Sequence, residues 1–116
     1  MQEVSVNNSM SILESMLDIT AFRRKVLSSN IANADTPGYR AKDISFQGEL
    51  DRALKGGRPS FDIFETPSTM QNRDGNTVNL DIEMTKVAEN SLIFNTATQI
   101  MATKIRMYKD ALRGGR

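Results

Sequence analysis

The sequence predicts a mainly α fold: two long terminal helices paired as an antiparallel coiled-coil hairpin, with a small irregular or β-hairpin middle segment. Three observations predict it. Apolar residues recur at helical spacing from Ile12 to Ile31, and again over a longer stretch from Met84 to Leu112. Between these stretches the pattern breaks at Gly56-Gly57 and Pro59. The expected division is a flexible N-terminus (1–10), an N-terminal assembly helix (11–35), a loop or short hairpin (36–79) and a C-terminal assembly helix (80–113).

In the first helix Ile12, Ile19 and Val26 lie seven apart, with Met16 and Phe22 between them and Leu13, Leu17, Leu27 and Ile31 alongside. That stripe is wide enough to bury one side of a helix. Ser11 followed by Glu14 has capping-box spacing, which places the expected start at Ser11. Arg23, Arg24 and Lys25 interrupt the stripe and are expected to reach solvent or an acidic partner. Pro37 biases Thr36 away from the α region and Gly38 permits a sharp redirection, so the helix is expected to stop near Asp35. Asn30 and Asn33, one turn apart just before the stop, suit bonds to free carbonyls or to a neighbouring subunit.

The middle segment has a different character. Ile44, Phe46 and Leu50 form a short apolar patch, and Phe61, Ile63 and Phe64 are expected to form a short strand. Residues 65–79 are polar, with Asp74-Gly75 as a strong turn pair, and carry at most a small hairpin.

The C-terminal helix shows 4-3 spacing. Met84, Ser91, Thr98, Ile105 and Leu112 alternate with Val87, Phe94, Met101 and Tyr108, a heptad seam over four repeats. Asp81 and Glu83 at the start, and Lys109 and Arg113 near the end, complement the helix dipole. A second apolar row, Ile93, Ile100 and Met107, runs beside the seam. One partner helix covers one row, so the second implies neighbours from other chains. The free chain is therefore expected to be only partly helical until it assembles.

Composition removes several function classes. Lys plus Arg number 15 and Asp plus Glu 14, which gives no field directed at nucleic acid or membrane. With no Cys and no His, a thiol nucleophile, a thiolate metal site and the commonest general base are all absent. No catalytic residue, cofactor or metal ligand is assigned. Asp43, Glu49 and Asp51 do not define a substrate cleft, and Asp74-Gly75-Asn76 lacks the remaining ligands of a calcium loop. The first residues lack a basic then apolar leader, so no Sec-type signal is expected.

The run from Ser28 to Tyr39, SSNIANADTPGY, is by itself a helix terminator. As a whole word, with Ala32-Asn33 two residues before Thr36-Pro37-Gly38-Tyr39, it resembles the signature of bacterial flagellar rod and hook proteins. The stretch DGNTVNLDIEMTKVAEN, from Asp74 to Asn90, resembles the lead into the C-terminal helix of proximal rod members of that family. The resemblance implies a structural subunit of the basal-body rod in the periplasmic space. It also implies export by the flagellar type III apparatus and assembly into a helical tube with itself, sister rod proteins and basal-body ring or adaptor proteins. Phe46 and Leu50 match a short motif that docks on the flagellar export gate, although Phe and Leu four apart is also ordinary helix packing. The assembly interface is expected on Ile12, Ile19, Val26, Met84, Val87, Ile93, Phe94, Ile100, Met101, Ile105, Met107 and Tyr108. The alternatives are a cytoplasmic helical-hairpin adaptor or chaperone, and another rod subunit of the same family.

Overall fold

A computed structural model describes the backbone of residues 2–67 and 71–114, and side chains from residue 8 onward. Five elements follow in order: α1 (Gln2–Ala32), β1 (Lys42–Ile44), α2 (Phe46–Leu54), β2 (Ile63–Glu65) and α3 (Leu80–Leu112). The two long helices lie antiparallel. Asn90 reaches the carbonyl of Thr20, and Glu83 reaches Asn30, so rising numbers on α3 meet falling numbers on α1. The molecule is elongated, 66 × 25 × 17 Å.

Helix α1 begins at Gln2, which corrects the expected start at Ser11 and the separate N-terminal segment. No Gly or Pro precedes Pro37, so nothing interrupts the helix there, and Ser-x-x-Glu spacing fits a helix interior as well as a cap. Its other end behaves as expected, with Gly38 at φ +75° turning the chain. Helix α3 starts from Asn79, whose side chain accepts the Ile82 N–H, and ends at Arg113 before Gly114 at φ +95°.

The middle segment is more ordered than its sequence suggests. β1 and β2 pair antiparallel with Asp43 opposite Phe64, and the short helix α2 bridges them. The hairpin thus joins residues 42–44 to 63–65 instead of lying within 65–79. Ser45 caps α2 by accepting the Gly48 N–H at 2.9 Å. The turn at Asp74-Gly75 is present, with Gly75 at φ +82°, and it braces the α1 corner instead of closing a hairpin.

Ile19, Val26 and Ile44 form the apolar core, with Phe22, Phe46 and Phe61 packed against it. This core is small. Much of the remaining interior is polar: Thr20, Asn30, Asp43, Glu49, Asn76, Glu83 and Asn90 are all buried.

The seam of α3 is rotated from the predicted one. Glu83, Asn90 and Ala97, seven apart, are its buried positions. Val87, Phe94 and Met101 are half-buried, whereas Met84, Ser91, Thr98 and Ile105 are exposed. One half of the expected heptad pattern is therefore correct and the other is displaced by one residue, about 100° of helix rotation. Polar Glu83 and Asn90 occupy the inward row because each finds a partner on α1.

Candidate functional site

The Thr-Pro-Gly corner sits on a buried polar junction between α1, β1 and α3. Asn30 is its centre and is fully enclosed. Its Nδ2 donates to the Lys42 carbonyl at 2.7 Å and to Glu83 Oε2 at 2.9 Å. Its Oδ1 accepts the Lys42 N–H at 3.0 Å and the Tyr39 hydroxyl at 3.1 Å. Both donor hydrogens and both acceptor lone pairs are thereby used, which no other side chain of this size can reproduce.

A charged cluster extends the junction. Arg23 grips Asp43 with two bonds, Nε to Oδ1 at 2.9 Å and Nη2 to Oδ2 at 3.1 Å. Lys86 Nζ lies 3.6 Å from the second Asp43 oxygen and 3.9 Å from Glu83 Oε1. The hydrogen bonds that Arg23 donates to Asp43, aided by the carboxylate charge, raise the Arg23 pKa above the usual arginine value despite partial burial. Two acids and two bases thus balance beneath the corner.

The corner itself is tied by Asn76. Its Nδ2 faces the carbonyls of Asn33, Ala34 and Thr36 at 2.9, 3.0 and 2.7 Å, closing the end of α1. Its Oδ1 accepts the Val78 N–H at 2.7 Å. Gly38 N–H donates to the Asp74 carbonyl at 2.8 Å, and Thr77 takes up Tyr39 and Ala41. Asn33 stays local, donating to the Ser29 carbonyl and accepting from the Thr36 hydroxyl. Ala32, Thr36, Pro37 and Gly38 are exposed.

Glu49 is a second buried carboxylate, reached by the backbone N–H groups of Ser60 and Phe61 and by the Ser60 hydroxyl. These bonds hold Phe61 at φ +54°, a left-handed conformation unusual for an aromatic residue, while its ring stacks on Phe22 at 4.6 Å. Asp43 and Glu49 are therefore consumed by Arg23 and by backbone donors. No group of metal-ligating side chains forms among the described residues.

The expected interface residues divide into two sets. Ile19 and Val26 are enclosed in the chain's own core, and Ile12, Val87, Ile93, Phe94 and Met101 are half-buried. Met84, Ile100, Ile105, Met107 and Tyr108 remain open, with Met107 65% exposed. Ile100 and Met107 have no packing partner among the described residues and stay exposed. Phe46 packs on the core and Leu50 is half-buried, so the Phe-x-x-x-Leu pair is folded inward.

A family model described as flagella basal body rod protein matches residues 17–40, the segment that carries Arg23, Asn30 and the corner. The chain is 34% identical over 119 residues to flagellar basal body rod protein FlgB of Bacillus subtilis strain 168, covering 90% of this chain and 92% of that protein. The chain belongs to the FlgB family. FlgB of Escherichia coli K12 is 34% identical over 122 residues, and FlgB of Salmonella typhimurium LT2 is 32% identical over the same length. Each of these two alignments covers 85% of this chain and 88% of the relative.

In this FlgB-family chain the junction extends well beyond the recognisable word. Asn76 and Glu83, which help complete it, lie in the Asp74–Asn90 stretch that resembles rod proteins, but Glu83 reads there as a dipole-compensating acid, Asn76 as part of an incomplete calcium loop, and Asp43 as one of three acids without a cleft. Their spacing to Asn30 has no local period, so no pattern along the chain linked them to it.

Proposed function

We propose that the chain is a structural subunit of the flagellar basal-body rod, acting through side-by-side assembly and not through catalysis. The observation that carries this reading is the unpartnered outer row of α3, Ile100 and Met107, on a helix whose other side is already held by α1. An exposed apolar row on a helix of this length calls for protein neighbours.

Family membership supports the reading, and the polar junction gives it a mechanism. Asn30, Asp43, Glu83 and their partners fix α1 against α3, so that the outer faces are presented in one defined register. Contacts between unlike faces of successive copies build an open helical array. The partners are further copies, sister rod proteins and the ring or adaptor proteins of the basal body. The chain reaches the periplasmic rod through the flagellar type III apparatus. The export gate reads Phe46 and Leu50 while the chain is unfolded, since folding turns both inward.

Locating an epitope-tagged chain tests this. Recovery in purified basal bodies, with lost motility when the gene is deleted, is the expected result. A protein confined to the cytoplasm in complex with another helix would instead make it an adaptor or chaperone.

A further inference from the structure

The groove beside the Thr-Pro-Gly corner carries charge that the chain itself does not answer. Lys25, Val26, Ser29, Tyr39, Lys42 and Ile63 line a cavity of about 260 Å³. Lys42 Nζ lies 4.6 Å from the centre of the Tyr39 ring. Among the described residues neither Lys25 nor Lys42 has a carboxylate partner. The site offers two cations beside an exposed Ile63, while its Ser29 and Tyr39 hydroxyls bond to each other and Tyr39 donates to Asn30. It suits a carboxylate flanked by an apolar group.

Such a group lies elsewhere on the molecule. Asp81, in the first turn of α3, is exposed and has no cationic partner among the described residues. Met84, 59% exposed, stands one turn further along the same face. Lys25 precedes buried Leu27 by two residues, and Asp81 precedes buried Glu83 by two. Two residues rotate a helix by about 200°, so each side chain projects roughly 160° away from its own packed side. The cationic patch faces outward from α1 and the acidic one outward from α3.

Their heights differ by about one and a half helical turns. The pairs Thr20–Asn90 and Asn30–Glu83 bracket Lys25 and put Asp81 within about 8 Å of its level along the helix axis. A second copy standing alongside with a small axial rise would bring its Asp81 to this groove. Because the two patches differ and lie on different sides, the contact repeats without closing.

We infer that the groove of one copy receives the first turn of α3 from a second copy. The partner copy's acidic side chain enters between Lys25 and Lys42, and the thioether one turn on packs against Ile63. The inference rests on the rod-subunit reading and specifies which faces meet. Charge at such a contact sets register and partner choice more than affinity.

The chain has no Cys, so no thiol of its own competes with the engineered ones. Lys25→Cys and Asp81→Cys chains are co-expressed as separate polypeptides, and basal bodies are isolated and oxidised. The expected product is a disulfide dimer containing both variants, absent when either is expressed alone. Independently, Lys25→Glu with Lys42→Glu should lower incorporation at least roughly tenfold, and Asp81→Lys in the same chain should restore it. Incorporation at the normal level, a loss without rescue, or basal bodies holding both thiol variants but no mixed dimer would each overturn the inference. So would a cross-link from Lys25→Cys to a different rod protein. In all these cases the unsubstituted protein is still found in basal bodies, whereas absence of the unsubstituted protein from them refutes the rod-subunit reading instead.

Discussion

Asn30 Nδ2 lies 2.9 Å from Glu83 Oε2, a bond that joins residues 53 apart in the chain and ties the motif helix to the C-terminal helix. The same carboxamide also holds both backbone groups of Lys42. Losing it strands a buried carboxylate and two main-chain groups, each of which is costly when unpaired. Asn30→Ala should therefore destabilise the fold by about 3 kcal/mol. Asn33→Ala, which removes only local bonds, should cost about 1 kcal/mol or less. Urea unfolding followed by circular dichroism ranks the two, and equal effects would refute the central role of Asn30.

Glu49 is predicted to govern the bend before β2. Glu49→Ala frees the Ser60 and Phe61 N–H groups and removes what holds Phe61 at φ +54°. A loss of about 2 kcal/mol is expected. Glu49→Gln should retain part of it, because the amide oxygen still accepts. Nuclear magnetic resonance shifts of the stacked Phe22 and Phe61 rings would report whether the bend opens.

Ile100→Lys with Met107→Lys should block incorporation into the rod while leaving the folded chain unchanged. Both side chains project from α3, 42% and 65% exposed, and neither contributes to the internal core. Motility and basal-body content measure the effect. Normal motility in the double variant would refute the second-face argument.

Phe46→Ala with Leu50→Ala should leave subunits in the cytoplasm if the export gate reads this pair. Since Phe46 also packs on Ile19, Val26 and Ile44, its loss should separately destabilise the fold by roughly 2 kcal/mol. A control at Ile44, Ile44→Ala, weakens the same core without touching the motif. Secretion assays should show export lost in the first variant and retained in the control.

Free protein should be only partly helical, with the loss concentrated far from the junction. Beyond Ala97, α3 has no fully buried residue among those described and only Met101 and Lys104 half-buried, so its backbone bonds have less packing support. Amide hydrogen exchange should therefore be fast from about residue 98 onward and slow around Asn30 and Glu83. Assembly should raise the circular dichroism signal of helix. Uniform protection along α3 in the monomer would contradict this.

The periodic parts of the fold were legible because burial repeats where the helix turns. Ile19, Val26 and Leu27 lie in an apolar stripe and are enclosed as that stripe implies. Asn79 to Arg113 carries start and stop chemistry, and α3 runs between those two caps. Helix α2 escaped notice because nine residues containing Gly48 give too short a pattern. β1 and β2 escaped as a pair because their partners are separated by a helix. In the site, Asn30 and Tyr39 of the motif are the residues that the fold turns into the junction. The parts that Glu83, Asn76 and Asp43 play there were not legible, since a polar residue looks the same along the chain whether it faces water or a buried partner.

By itself, the sequence determined the two helices, the corner that ends the first, the apolar row left over on the second, and the family. All of these depend on residues near one another in the chain or on wording shared with relatives. Tertiary structure alone decided which side of α3 faces α1. Apolar matching favoured the row of Met84, but Asn30 and the Thr20 carbonyl offer fixed hydrogen-bonding groups that only Glu83 and Asn90 can meet. Leaving such buried groups unpaired costs more than exposing Met84. That preference rotates the helix by one residue, and the apolar side chains it turns outward become the surface available to neighbours.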